Sequence, residues 1–236
     1  MAGRAELPGS GSTSVDHELA IVRYLPNGEL DTSFDDDGKV LVDLGGVDDE
    51  PLAARALPVA SGKIVVAGTV GERIFAFRLQ KDGMRDLAFG YLGAAYIDIP
   101  DMRAKAWDAR VDSQGRIVLA GRATVKGSGY ALYLLARLTA GGSKDSSFAG
   151  GGATYFDFGS EGQLLTSLSL DGQGDLICSG GFGPQMLAAR FSANGAHKMS
   201  VAKWLSLANF EVPAFAFGDS EGRIVLVGYA TKLDGF

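Results

Sequence analysis

Cysteine and histidine are nearly absent: Cys178 is the single thiol, and His17 and His197 are the two imidazoles of the 236-residue chain. One cysteine excludes an intrachain disulfide, and its place in the apolar run LICSG marks it as a small buried hydrophobe. Two distant histidines do not assemble a Ser-His-Asp triad or a His-rich metal site. No run of about 18 apolar residues occurs, so a membrane-spanning helix is not expected. The opening MAGRAELPGSGSTSVD lacks the apolar stretch of an export signal. Clustered basic residues are missing too. With 22 Lys and Arg against 28 Asp and Glu, the formal charge of -6 would repel a phosphate backbone, which argues against nucleic acid as a partner. No segment sustains an apolar period of 3.6 residues, so helices are not expected either.

What is abundant is glycine, 34 residues, and the glycines mark a repeat. SGKIVVAG at 61–68 returns as QGRIVLAG at 114–121, QGDLICSG at 173–180 and EGRIVLVG at 221–228. The leading glycines are Gly62, Gly115, Gly174 and Gly222. A second signature accompanies the first: VRYLPNGELDTSF, FRLQKDGMRDLAF, ARLTAGGSKDSSF and ARFSANGAHKMSV, carrying Arg23, Arg78, Arg137 and Arg190. From the first three arginines, Asp follows at +8 (Asp31, Asp86, Asp145), Phe at +11 (Phe34, Phe89, Phe148) and Asp again at +20 (Asp43, Asp98, Asp157). The repeat is about 55 residues long, with units starting near 18, 73, 130 and 185.

Runs such as KIVVAG and RIFAFRL are short, β-branched or aromatic, and bounded by turn formers, which predicts strands. DSQG, DGQG and DSEG read as hairpin turns in which Asp bonds the backbone two residues on and Gly takes the left-handed conformation. Each unit is then a four-stranded antiparallel meander, apolar on both faces of its middle strands, and a ring of such sheets is a β-propeller. The fold class expected is all-β. Residues 1–17 are set aside as a disordered leader or tag, leaving 18–236 as one propeller domain. Residues 20–44 supply only third and fourth strands and 212–230 only first and second ones, so the two ends are expected to share one blade. Exchange of ends between two chains, giving one eight-bladed ring with two-fold symmetry, is the alternative to a monomer.

These motifs resemble the bacterial delta-60 repeat family, a β-propeller domain of unknown function. The resemblance spans residues 20–236 and implies a propeller, with no established activity, ligand or catalytic residue. The fourth unit departs from the pattern: Lys198 stands at +8, Val201 at +11, and AKWLSLA contains no Asp.

Candidate chemistry is sparse. The Arg and +8 Asp pairs (Arg23 with Asp31, Arg78 with Asp86, Arg137 with Asp145) read as structural ion pairs or as arginines bonded to turn carbonyls. A ring of arginines for an anion is the sharper alternative. Asp35, Asp36 and Asp37, and likewise Asp48, Asp49 and Glu50, lack the spacing of a calcium loop. In the first strands, which would line the axis, Ala54, Trp107, Thr166 and Ala214 are equivalent positions. There Arg55, Trp107, Asp108 and Arg110 are the candidate ligand pocket, with Trp107 as a stacking platform. His197, Lys203 and Trp204 are a second candidate. No catalytic residue, metal or cofactor is expected. The function expected is a non-enzymatic module binding a protein or a glycan, with a purely structural repeat as the rival and a glycan hydrolase or lyase as the third class.

Overall fold

A computed structural model describes residues 2–6, 17–44, 52–157, 164–182, 185–203 and 210–231. Three four-stranded antiparallel sheets form its centre. The first comprises β4 (Leu52–Pro58), β5 (Ile64–Val70), β6 (Arg73–Leu79) and β7 (Ala94–Ile97). The second comprises β8 (Met102–Val111), β9 (Ile117–Val125), β10 (Ala131–Leu138) and β11 (Ala153–Phe156). The third comprises β12 (Leu164–Leu170), β13 (Leu176–Phe182), β14 (Gln185–Phe191) and β15 (His197–Lys203). Each sheet is hydrogen-bonded in chain order, the simplest meander.

The reason for strands is legible in β9 and β10. IVLAGRATV and ALYLLARL are buried along nearly their whole length. Both faces of such a strand need cover, and only sheets stacked face to face give it. Val65, Ala67, Ile74 and Ala76 of the first sheet pack with Ala104, Ala106, Ile117 and Leu119 of the second in one apolar layer. Val118, Ala120, Tyr133 and Leu135, on the opposite face of the second sheet, pack with Leu165, Leu168, Cys178 and Leu187 of the third.

Smaller sheets flank the three. At the N-terminal side β1 (Ala2–Glu6), β2 (His17–Val22) and β3 (Lys39–Val42) pair in that order. At the C-terminal side β16 (Phe210–Gly218) and β17 (Ile224–Thr231) form a two-stranded sheet. The unit starts near 18, 73, 130 and 185 fall at the third strands β2, β6, β10 and β14.

Two expectations meet a different arrangement here. Ala2–Glu6, set outside the fold as leader, pairs with β2 from Ala2 opposite Ile21 to Glu6 opposite His17. The shared terminal blade is not formed: among the described residues β17 pairs with β16, and β2 lies between β1 and β3. The physical cause is occupancy. An open strand edge offers a row of free N–H and C=O groups to any extended segment nearby, and β1 takes the edge of β2 that β17 would use.

Candidate functional site

The repeated signature builds the junctions between sheets. Arg23 Nε donates to Asp31 Oδ2 at 2.7 Å, Arg78 Nε to Asp86 at 2.6 Å and Arg137 Nε to Asp145 at 2.7 Å. The same guanidiniums lie over the +11 rings, Arg23 over Phe34 at 4.3 Å, Arg78 over Phe89 at 4.8 Å and Arg137 over Phe148 at 4.7 Å. Each arginine also reaches into the next unit: NH1 of Arg23 donates to the Lys81 carbonyl, that of Arg78 to Ala140 and that of Arg137 to Ala193. Backbone bonds run alongside, from Asp35 N to Asp82 O, Gly90 N to Gly141 O and Ala149 N to Asn194 O. One side chain thus takes a carboxylate, an aromatic face and a neighbouring carbonyl at once, which only the planar five-donor guanidinium can do.

The turn glycines complete these junctions. A Cβ on Gly142 would meet Gly90 N at 2.7 Å and the Phe89 ring at 3.0 Å, and one on Gly195 would meet the Phe148 ring at 2.8 Å. A Cβ on Gly83 would stand 2.9 Å from Asp35 N and 3.1 Å from Phe34. Gly28, at the same place in the first unit, has nothing within 4 Å of that position.

The divergent fourth unit keeps one ion pair with its charges exchanged. Lys63 Nζ donates to Asp86 Oδ2 at 2.8 Å, whereas Lys198 Nζ donates to Asp175 at 2.7 and 2.8 Å. Asp175 follows its turn glycine as Lys63 does, and Lys198 holds the +8 position that Asp86 holds. With lysine at +8, Arg190 loses the +8 carboxylate: its Nε is buried without a hydrogen-bond partner, while NH2 donates to Gly222 O at 2.8 Å and lies 3.7 Å from Asp171 Oδ2.

In the first strands, the equivalent residues Ala54, Trp107, Thr166 and Ala214 are each the extra residue of a β-bulge. A bulge leaves backbone groups of its strand out of the ladder, and side chains of adjacent first strands supply partners. Asp108, fully buried, accepts from Ala109 N at 2.9 Å and, across to the next sheet, from Leu168 N at 2.8 Å. Its Oδ1 also takes Arg55 Nε at 2.6 Å and Arg110 NH1 at 2.5 Å. Ser167 repeats the cross-sheet bond one unit on, accepting from Ala216 N at 3.2 Å. Arg55, Asp108 and Arg110 are therefore brought together, and Trp107 stands beside them at the bulge, half-buried.

The second candidate is only partly visible. His197 is exposed and lies edge-on to Phe191 at 5.3 Å, Lys203 ends β15, and Trp204 lies outside the described residues. Asp35, Asp36 and Asp37 sit in an exposed turn, and Asp48, Asp49 and Glu50 lie outside the described residues. No cluster able to hold a metal ion occurs among the described residues. No described helix is long and apolar enough to cross a membrane.

The electrostatics follow the junctions. The Lys63 ammonium, with help from Arg78, holds Asp86 below the ordinary 3.8. Burial pushes Asp145 up, but the Ser147 hydroxyl and Arg137 outweigh it and the net shift is downward. The Ser147 and Ser33 hydroxyls, at +10, bond Oδ1 of Asp145 and Asp31 at 2.6 Å, an addition that the Arg, Asp and Phe spacing alone did not reveal. Burial, and secondarily the Asp108 charge, push the Cys178 thiol well above its usual range, so it is inert.

Sheets of this kind, stacked in series through repeated junctions, define a β-propeller-type domain. The family comparison points to the same class. Residues 11–34, 60–89 and 113–148 match a family described as "Domain of unknown function (DUF5122) beta-propeller". These segments contain the first three arginine signatures and stop short of the divergent fourth. Among solved structures, the chain is similar to a protein of unknown function from Bacteroides caccae, with a TM-score of 0.51 and 15% identity. The match takes in 94% of this chain and 63% of that one, so the chain spans under two thirds of the larger protein. None of the curated proteins matches.

Proposed function

We propose that the chain is a non-enzymatic protein-interaction module of the delta-60 repeat type, with its binding surface at the C-terminal end of the sheet stack. One observation carries this reading. The repeat segment IVLA in β9 is sealed, with Ile117, Val118, Leu119 and Ala120 at most 1% exposed, whereas IVLV in β17 leaves Val225 37% and Val227 38% exposed. Phe215 and Phe217 of β16, the cross-strand partners of Val227 and Val225, are exposed on the same face, and Met199 and Val201 of β15 are exposed beside the opposite face of β17, with Ile224 and Leu226. Contiguous exposed apolar residues on a soluble surface mark an interaction site.

The test compares immobilised wild type with Val225→Glu/Val227→Glu in an extract of the native host. Wild type retains proteins that the variant loses. Identical capture by both overturns the reading.

A second reading places a ligand, such as an acidic glycan, against Arg55, Trp107 and Arg110 around Asp108. It is favoured by the Arg55 side chain, which stays 49% exposed while bound to a fully buried carboxylate. Tryptophan fluorescence during titration with acidic oligosaccharides tests it, and an Arg55→Ala variant with unchanged response overturns it.

A further inference from the structure

We infer that the surface at β17 is completed by a second copy of this chain, whose β2 and β3 become the third and fourth strands beside β16 and β17. This rests on the interaction reading above and names its partner. Among the described residues β17 pairs with β16 alone, and its other edge is the one that β5, β9 and β13 use to bind β6, β10 and β14. What is missing there is a third strand followed by the arginine signature, and β2 with Arg23, Asp31 and Phe34 is that segment.

The two surfaces complement each other beyond the edge. Met186, Ala188, Met199, Val201, Ile224 and Leu226 line an apolar groove between the third sheet and β17, where the third strand of a completed sheet would lie. β2 buries Leu19 and Ile21 against the first sheet, while Ala20 and Val22 of its other face are only partly covered and Leu41 of β3 is 49% exposed. An apolar strand face thus stands ready for an apolar groove. At the junction, Gly28 presents the open face that Gly83, Gly142 and Gly195 press against the preceding unit, and Val201, 40% exposed, occupies the place of the +11 phenylalanine that such a glycine meets.

A second copy fits better than the chain's own N-terminal strands. In the single chain these strands lie in a separate sheet. Two copies joined end to end make two identical junctions and close with two-fold symmetry. Each junction replaces β1 on the edge of β2 with β17. AGRAE is poor in β-formers whereas IVLVGYAT is rich in them, so the exchange runs toward β17.

Sedimentation equilibrium of the purified full chain tests this. Wild type is expected at twice the 24.6 kDa chain mass. Val225→Glu/Val227→Glu, and separately Leu41→Glu, are expected to sediment at the single-chain mass with unchanged far-UV circular dichroism. These side chains are already exposed in the single chain, so its folding does not depend on them. A single-chain mass for wild type at every concentration overturns the second copy, and slow amide exchange in β17 of such a monomer would show that the chain closes on itself. Neither result touches the extract-capture test, so the two readings fail separately.

Discussion

Lys63 with Asp86, and Asp175 with Lys198, are one ion pair written in two senses, and the exchange reaches a third residue. Arg190 Nε has no hydrogen-bond partner because the +8 position carries the cation, and its NH2 keeps only a 3.7 Å contact with Asp171. Lys198→Asp alone would set a second carboxylate against Asp175, whose side chain is 7% exposed, and we expect a loss of about 1–2 kcal/mol in urea unfolding. Asp175→Lys with Lys198→Asp restores the pair and gives Arg190 Nε the +8 carboxylate, so the double variant is expected to unfold at or above the wild-type midpoint. Additive losses in the double-mutant cycle would refute the exchange. Acid acts on the same groups. Asp31, Asp86 and Asp145 all have pKa values below 3.8 in the folded chain, so the folded state binds fewer protons than the unfolded one as these groups titrate. Their contribution is complete above that value and is lost as pH falls through the folded pKa values. The thermal midpoint is therefore expected to drop on going below pH 3.8, and to drop less in Asp145→Asn, where one of the three groups no longer titrates.

The first strand of each unit owes its shape to a glycine on the second. Gly68, Gly121, Gly180 and Gly228 pair with the residue just before the bulge, at Ala53, Ala106, Leu165 and Pro213. A Cβ on Gly121 would lie 1.8 Å from the Lys105 carbonyl oxygen, so the requirement is backbone clearance. Gly121→Ala is expected to cost about 3 kcal/mol in urea unfolding, against well under 1 kcal/mol for Gly172→Ser, a turn position with negative φ and nothing near its Cβ position. Strand identity was legible in the sequence because burial on both faces leaves a run like IVLAG no other use. The Arg and Asp pairing was legible because both partners lie in one repeat. A turn carbonyl was legible as a possible partner of that arginine, but the turn that supplies it was not, since a carbonyl 56 to 62 residues away, such as Ala193 or Ala140, has no side-chain signature. Trp107, Asp108 and Arg110 stood out for their size and charge, but the role of Asp108 depends on Leu168 N, and a backbone donor leaves no mark in a sequence.

A stack in which each sheet touches only its neighbours distributes stability by position, because every internal sheet has two covered faces and every end sheet has one. Near-identical segments make this measurable. IVVAG in β5, IVLAG in β9 and IVLVG in β17 differ little in propensity, so differences in amide exchange among them report surroundings alone. The β9 amides are held on both sides by β8 and β10 and covered by apolar layers on both faces, so they are expected to exchange only through global unfolding. Among the described residues the β17 amides have one partner strand and a half-exposed apolar face, so those on its outer edge are expected to exchange fastest. The gradient is to be read by hydrogen–deuterium exchange with fragment analysis at several protein concentrations. Protection of β9 should be independent of concentration, whereas protection of β17 should rise with it, since association stabilises by mass action only what it covers. Equal protection of β9 and β17 in the dilute chain would mean that the stack has no open end.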